Sequence, residues 1–303
     1  MSNDVEVPLQ HRIGLIGASS LVGGCLLDML AQSNWSVLAY SRRNTDYVSD
    51  CVEWRKTSSQ TQRESDVPFL ADPERIPLWI YVAPIWTIQM NFKLLEAHGV
   101  RRIVVLSSTS IFTKDNSSDP AEQEVAARLA DGEAQFQTWA ESKGVEWIVI
   151  RPTLIYGLSK DHNLSEIVRF VRLFGIFPIC GKALGLREPV HAYDVAAACM
   201  GALLNSGVAN HVYNISGGET LTYHEMVMRV FSALGKPARI LHVPLWVYRL
   251  AMAVLRWLPR YRHWNVAMAE RMNRDLVFDH GDAVRDFGFK PRRFILTTED
   301  VKD

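Results

Sequence analysis

The chain has 303 residues, and its 33 Lys and Arg balance 33 Asp and Glu, which argues against a general nucleic-acid binder. A composition of 48% hydrophobic and 22% charged residues is that of a globular protein. It is long enough to bury a large core, as one α/β domain or as one with a lobe attached. Cys25, Cys51, Cys180 and Cys199 lie too far apart for a metal site and are read as inert thiols in a reducing compartment, so no metal is expected.

The leader Met1–Gln10 is polar and acidic, unlike a signal peptide. No apolar run reaches the ~18 residues of a spanning helix, so the cytoplasm is the expected location. The apolar run Ile13–Ile16 predicts a first strand. It leads into Gly17-Ala18-Ser19-Ser20-Leu21-Val22-Gly23-Gly24. Leu21, Val22, Cys25, Leu26, Met29 and Leu30 then share one helical stripe, Asn34 breaks it, and Val37–Tyr40 reads as the next strand. This is the opening βαβ unit of a dinucleotide-binding fold. Gly17 permits the tight turn, and Gly23 lets the helix approach the sheet. A pyrophosphate would rest on the backbone N–H groups from Ser19 to Val22, at the positive end of the helix. Ser20 replaces the usual middle glycine. Its side chain either adds a hydrogen bond or hinders the phosphate.

The second strand ends in Ser41-Arg42-Arg43. An acidic residue there would hold the ribose 2′-hydroxyl of NAD. Ser41 carries no negative charge, and two forked guanidinium groups follow, so NADP is expected and NAD is the alternative.

Further along, Arg55–Asp72 is polar with little periodicity. Leu78–Ala83 predicts a buried strand, Thr87–His98 a helix closed by Gly99, and Ile103–Leu106 and Trp147–Ile150 two more strands. Lys114–Pro120 predicts a loop at the ligand-binding edge of the sheet. Val190–Asp194 leads into an alanine-rich helix with Asp194 as its N-cap. Thr222-Tyr223-His224-Glu225 is a capping box, with Leu221 and Met226 as its hydrophobic staple, and Gly235 ends that helix. Alternating strands and helices imply a doubly wound parallel α/β sheet with a small C-terminal lobe. The expected boundaries are 11–180 for the dinucleotide-binding domain, with 189–215 returning to its sheet edge, and 216–300 for most of the substrate lobe.

Several motifs resemble one known family. They are Gly-Ala-Ser-Ser-Leu-Val-Gly at 17–23, Ala83-Pro84, and Val-Val-Leu-Ser-Ser-Thr-Ser-Ile-Phe at 104–112. Ile-Arg-Pro-Thr-Leu-Ile-Tyr-Gly at 150–157, Pro-Val-His-Ala-Tyr-Asp-Val-Ala at 189–196 and Tyr-Asn-Ile-Ser-Gly-Gly-Glu at 213–219 continue the match. The chain resembles extended short-chain dehydrogenase/reductases of the NAD(P)-dependent epimerase/dehydratase branch. The resemblance implies that Ala83 and Pro84 border the cofactor. It further implies that Ser108, with Thr109 beside it, faces the substrate oxygen, and that Arg187 contacts the diphosphate of a sugar nucleotide; the alternative for Arg187 is a rim position paired with Glu188.

The family's Tyr-x-x-x-Lys pair is missing. No tyrosine lies between Tyr81 and Tyr156, and the matching positions are Val125 and Leu129, or Val125 and Arg128 in a slipped register. Glu133 fits a family glutamate of the same helix. Tyr156 is the candidate substitute for the acid/base and is also read as structural. His191 is read as structural, and Lys114, Asp115 and Glu124 as solvated charge. The expected function is that of an atypical oxidoreductase or epimerase on a sugar nucleotide or similar phosphorylated small molecule. The competing expectation is a non-catalytic dinucleotide-binding structural or sensing protein. A homodimer is compatible with either.

Val243–Leu258 combines Trp246, Tyr248 and Trp257 with Arg249 and Arg256 seven apart, followed by Arg260, Arg262, His263, Arg271 and Arg274. It is expected to pack in the lobe with Trp246 and Trp257 buried; contact with a membrane is the less favoured reading.

Overall fold

The computed structural model describes residues 12–42, 47, 49–56, 74–161, 163–255 and 266–302. Arg43, Trp257, Arg256, Arg260, Arg262 and His263 therefore lie outside the described residues, as does most of the polar stretch 55–72. The chain forms two compact units. The first comprises Met1–Ser107, Gly132–Ile150 and Ala196–Val212; the second comprises Ser108–Asp131, Arg151–Val195 and Tyr213–Asp303.

The first unit opens with β1 (Arg12–Ile16), α1 (Leu21–Gln32) and β2 (Ser36–Ser41). β3 (Val52–Lys56) and β4 (Leu78–Tyr81) follow, then α2 (Phe92–Ala97) and β5 (Arg102–Leu106). The chain next passes through α3 (Ser110–Thr113) and α4 (Pro120–Lys143) to β6 (Glu146–Pro152). The strands lie in the order β3-β2-β1-β4-β5-β6, with His211–Ile215 beyond β6 as the seventh. β1 to β6 pair in parallel, giving the doubly wound α/β sheet expected. Ile13, Leu15, Val37, Leu38, Ile80, Val104, Val105 and Ile148 are fully buried. Such unbroken apolar strands are what a sheet covered on both faces requires. Gly14 of β1 is also fixed by packing, because a Cβ there would lie 2.3 Å from the Trp79 ring.

Several expectations meet departures. The helix anticipated over 87–98 is a 3-10 helix at Ile85–Asn91 followed by the short α2. Thr87 donates its backbone N–H and its hydroxyl to the carbonyl of Pro84, and Asn91 donates to the carbonyl of Thr87. These side chains compete with the α-helical ladder. Arg55 and Lys56, read as loop, complete β3. The alanine-rich helix begins at Ala192, so Asp194 is not its N-cap; its carboxylate accepts from the backbone and side chain of Arg292.

In the second unit the helices Leu164–Phe174 and Tyr223–Ala233 pack around a parallel strand pair, Phe177–Cys180 and Ile240–Val243. The capping box forms, with Thr222 Oγ1 accepting from Glu225 N and Glu225 accepting from Thr222 N. Leu221 and Met226 are both buried beside it. Tyr156, Phe177, Phe231 and Phe294 belong to the core of this unit. The helix Leu245–Leu255 corrects one expectation, because Trp246 is 70% exposed. Tyr248, 2% exposed, takes the inward side of the helix. At about 100° per residue, positions 246, 249 and 250 fall on the outward side.

Candidate functional site

In the first unit the chain leaves β1 at Gly17, where φ is +88°. A Cβ on Gly17 would lie 2.6 Å from Ala83 N, and one on Gly23 would lie 2.4 Å from Gly17 O. Neither position admits a side chain, and Ala83 lies directly against the turn, with Pro84 next along the chain. The N–H groups of Gly17 and Ala18 donate to Tyr40 O, which locks the turn to β2. Ser20 has extended backbone and caps α1, its Oγ accepting from Gly23 N at 3.0 Å. The hydroxyl proton of Ser20 is not used in that capping bond. The N–H groups of Leu21 and Val22 have no partner within the helix, as at any helix start. No acidic residue sits in this first turn, so the positive end of the helix dipole is left uncompensated by the helix itself. This cradle could hold an anion.

Ser41, buried at the end of β2, donates to Ser19 Oγ at 2.7 Å, tying the strand end to the glycine turn. Arg42 follows. Its charge acts on Tyr81, whose phenol burial pushes up to about 12 against opposing hydrogen bonds to Thr87 and Asn91. Thus Arg42 and the end of β4 lie within electrostatic reach. Beyond β5, Ser107 donates to Glu133 of α4 at 2.5 Å, with both residues buried. Glu133 therefore anchors α4 to the strand end.

In the second unit Ser108 is half-buried, and its Oγ accepts from Ser110 N at 3.1 Å. Its own hydroxyl proton is not used in that bond. Thr109, offered as a second substrate contact, instead turns inward; its N–H and hydroxyl both donate to Pro152 O at 3.1 Å. Tyr156 is fully buried, edge-on to His191 and Phe294, and burial pushes its phenol far up. Its place in the core removes it as the substitute acid/base.

His191 pairs with Asp300, 109 residues away, at 3.3 Å through Nε2, and its Nδ1 accepts from Tyr193 N. Sequence reasoning missed Asp300, and no local pattern marks it. Arg187 is 4% exposed rather than at a rim, and it hydrogen-bonds the carbonyls of Leu186, Arg274 and Arg271. Burial lowers its guanidinium to about 10, with Arg271 adding to the effect. Glu188 instead accepts from Thr220 and Phe278 N, so the alternative Arg187–Glu188 pair does not form. Lys114, read as solvated, is half-buried, and burial lowers its amine. Near it Glu122 accepts from Ser117 and from Arg271. On α4, Val125 is half-buried and Leu129 is buried, and neither can exchange a proton. Among the described residues no group of His, Cys, Asp and Glu converges as a metal would need.

Residues 86–216 match the NAD dependent epimerase/dehydratase family. A UDP-glucose 4-epimerase of Vibrio cholerae is 26% identical over 191 residues, covering 59% of this chain and 58% of that protein. The chain spans about half the length of the curated relatives it matches. Among solved structures, an epimerase from Methanothermobacter thermautotrophicus aligns with a TM-score of 0.72 at 14% identity, over 96% of this chain and 90% of that one. The UDP-glucose 4-epimerase of Thermotoga maritima, solved with UDP-glucose, gives 0.68 at 14% identity over 96% of both chains. At that identity the likeness is one of fold, and it matches the Rossmann architecture described above.

Proposed function

We propose that this protein binds a nicotinamide dinucleotide and acts as an atypical oxidoreductase or epimerase on a sugar nucleotide or similar phosphorylated small molecule. The glycine turn carries the proposal. Within the turn, a methyl group at Gly17 or at Gly23 would strike backbone, in keeping with the tight turn and close helix approach of a dinucleotide-binding motif. The fit extends to the open first turn of α1, where Leu21 and Val22 N–H would meet the pyrophosphate. When bound, the dinucleotide supplies hydride transfer. Ser108 would orient the substrate oxygen with the proton its capping bond leaves unused. The substrate class rests on the family match and on the epimerase relatives.

NADP is the proposed form. Ser41 leaves the end of β2 without a carboxylate, its hydroxyl joins that of Ser19, and Arg42 follows with a forked donor. A charge-assisted contact to a phosphate contributes ~1.5–3 kcal/mol. Calorimetry should therefore show NADPH binding about ten- to a hundredfold tighter than NADH, and Arg42→Ala should erase most of that preference. Equal affinities of the wild type would overturn the NADP assignment while leaving dinucleotide binding intact.

A second reading has one observation in its favour. Val125 and Leu129, or Val125 and Arg128 in a slipped register, stand where the family resemblance implies Tyr and Lys. A positioned proton-transfer group typically contributes about 10²–10⁴-fold to rate, so conventional turnover should be absent. Incubation with UDP-glucose and either dinucleotide, followed by product analysis, separates the readings. Dinucleotide binding with no turnover on any sugar nucleotide favours a sensing or structural role.

A further inference from the structure

We infer that the outward face of the helix Leu245–Leu255 docks onto an anionic lipid surface. Trp246, Arg249 and Leu250 lie on that face at 70%, 59% and 63% exposure, while Tyr248 on the opposite face is buried. Leu241, on the strand that leads into the helix, is 48% exposed. Bulky apolar side chains clustered on the solvent side of one helix are the mark of a surface with a partner.

Charge identifies the partner. From Met226 to Ala269 the sequence contains no Asp or Glu and carries seven Lys and Arg, of which Arg229 is paired with Glu219, in a chain whose totals balance at 33 and 33. Arg239 and Arg249 are exposed. Among the described residues, Glu270 pairs with Arg249 at 3.4 Å and is 21% exposed. A second copy of the chain is a poor occupant, because a two-fold interface would set this cationic stretch against itself. A bilayer with anionic headgroups accepts both components. Trp246 and Leu250 would enter the headgroup boundary, where tryptophan is favoured, and the arginines would remain among the headgroups. No helix among the described residues is long and apolar enough to cross a membrane, so the contact is peripheral.

The test is co-sedimentation of the full chain with vesicles of phosphatidylglycerol and phosphatidylcholine, against vesicles of phosphatidylcholine alone. Binding should require the anionic lipid and should weaken as salt shortens the screening length from about 8 Å at physiological ionic strength. Arg249→Ala should weaken binding about fivefold, the equivalent of ~1 kcal/mol per basic residue near the surface. The double variant Trp246→Ala, Leu250→Ala should abolish it, and because both residues are exposed its melting curve should match that of the wild type. The Trp246 emission should shift to the blue on adding anionic vesicles. No binding to either vesicle overturns the proposal, as does equal binding to both. Detection of a dimer that the double variant converts to monomer overturns it in favour of a second copy.

Discussion

Gly23 and Gly24 stand side by side in α1 and differ in what a methyl group would meet. At Gly23 it strikes the carbonyl of Gly17, and at Gly24 it finds nothing within 4 Å. Gly24→Ala should therefore stabilise the protein by ~0.5–1 kcal/mol, since alanine loses less backbone entropy in a helix. Gly23→Ala should push α1 off the turn, lowering the melting temperature and abolishing dinucleotide binding in calorimetry. Tyr156→Phe should leave dinucleotide binding and any turnover unchanged, because the ring lies in the core of the second unit. A loss of turnover with binding retained would restore Tyr156 as a participant. At this scale the glycines were legible because a turn forbids side chains by sterics alone. The surroundings of Arg187 were not, because two of the three carbonyls it bonds, those of Arg271 and Arg274, lie more than eighty residues further along the chain.

Among the elements, those whose stability is local were the most legible. The capping box at Thr222 is spelled by four consecutive residues, and both of its hydrogen bonds form. Thr222→Ala should cost ~1 kcal/mol, seen as a lowered denaturant midpoint with unchanged slope. The buried strands of the parallel sheet were equally plain, because continuous apolar runs have few alternatives. The segment 85–97 was misread because its apolar residues suit a helix while Pro84, Thr87 and Asn91 redirect the hydrogen bonds. The helix at Leu245 was misjudged for a different reason. Its apolar residues outnumber what one inward face can bury, and periodicity does not say which of them face solvent.

Over the whole molecule, the segment before the C-terminus fastens onto the second unit through Asp300. Its carboxylate, 2% exposed, accepts from Leu158 N, Thr297 N and Thr297 Oγ1, and pairs with His191. Burial alone would raise this carboxyl, but the bonds from His191, Thr297 and Leu158 outweigh it and hold the group well below the usual carboxylate range. A carboxyl depressed in the folded state stabilises the protein fully at pH values above the unfolded pKa of ~3.9, and that contribution is lost as pH falls through the depressed value. Asp300→Asn should therefore cost about 1–3 kcal/mol at neutral pH, the order expected when buried donors lose a charged acceptor. Its deficit against the wild type should shrink in acid, as measured by urea unfolding at several pH values. A deficit independent of pH would assign the loss to packing.

The first unit also has an order of assembly written into it. Arg102, on β5, hydrogen-bonds the carbonyls of Ala202, Asn205 and Val208, a hundred residues further along the chain. A ribosome delivers the polypeptide from its N-terminus. β1 to β5 must therefore leave the exit tunnel and wait, with this guanidinium unpaired from those carbonyls, until Ser108–Asp131 and Arg151–Val195 of the second unit have been synthesised. Stalled nascent chains ending before Ala196 should be cut readily by protease within the first unit, and those extended past Val212 by the length of the tunnel should resist.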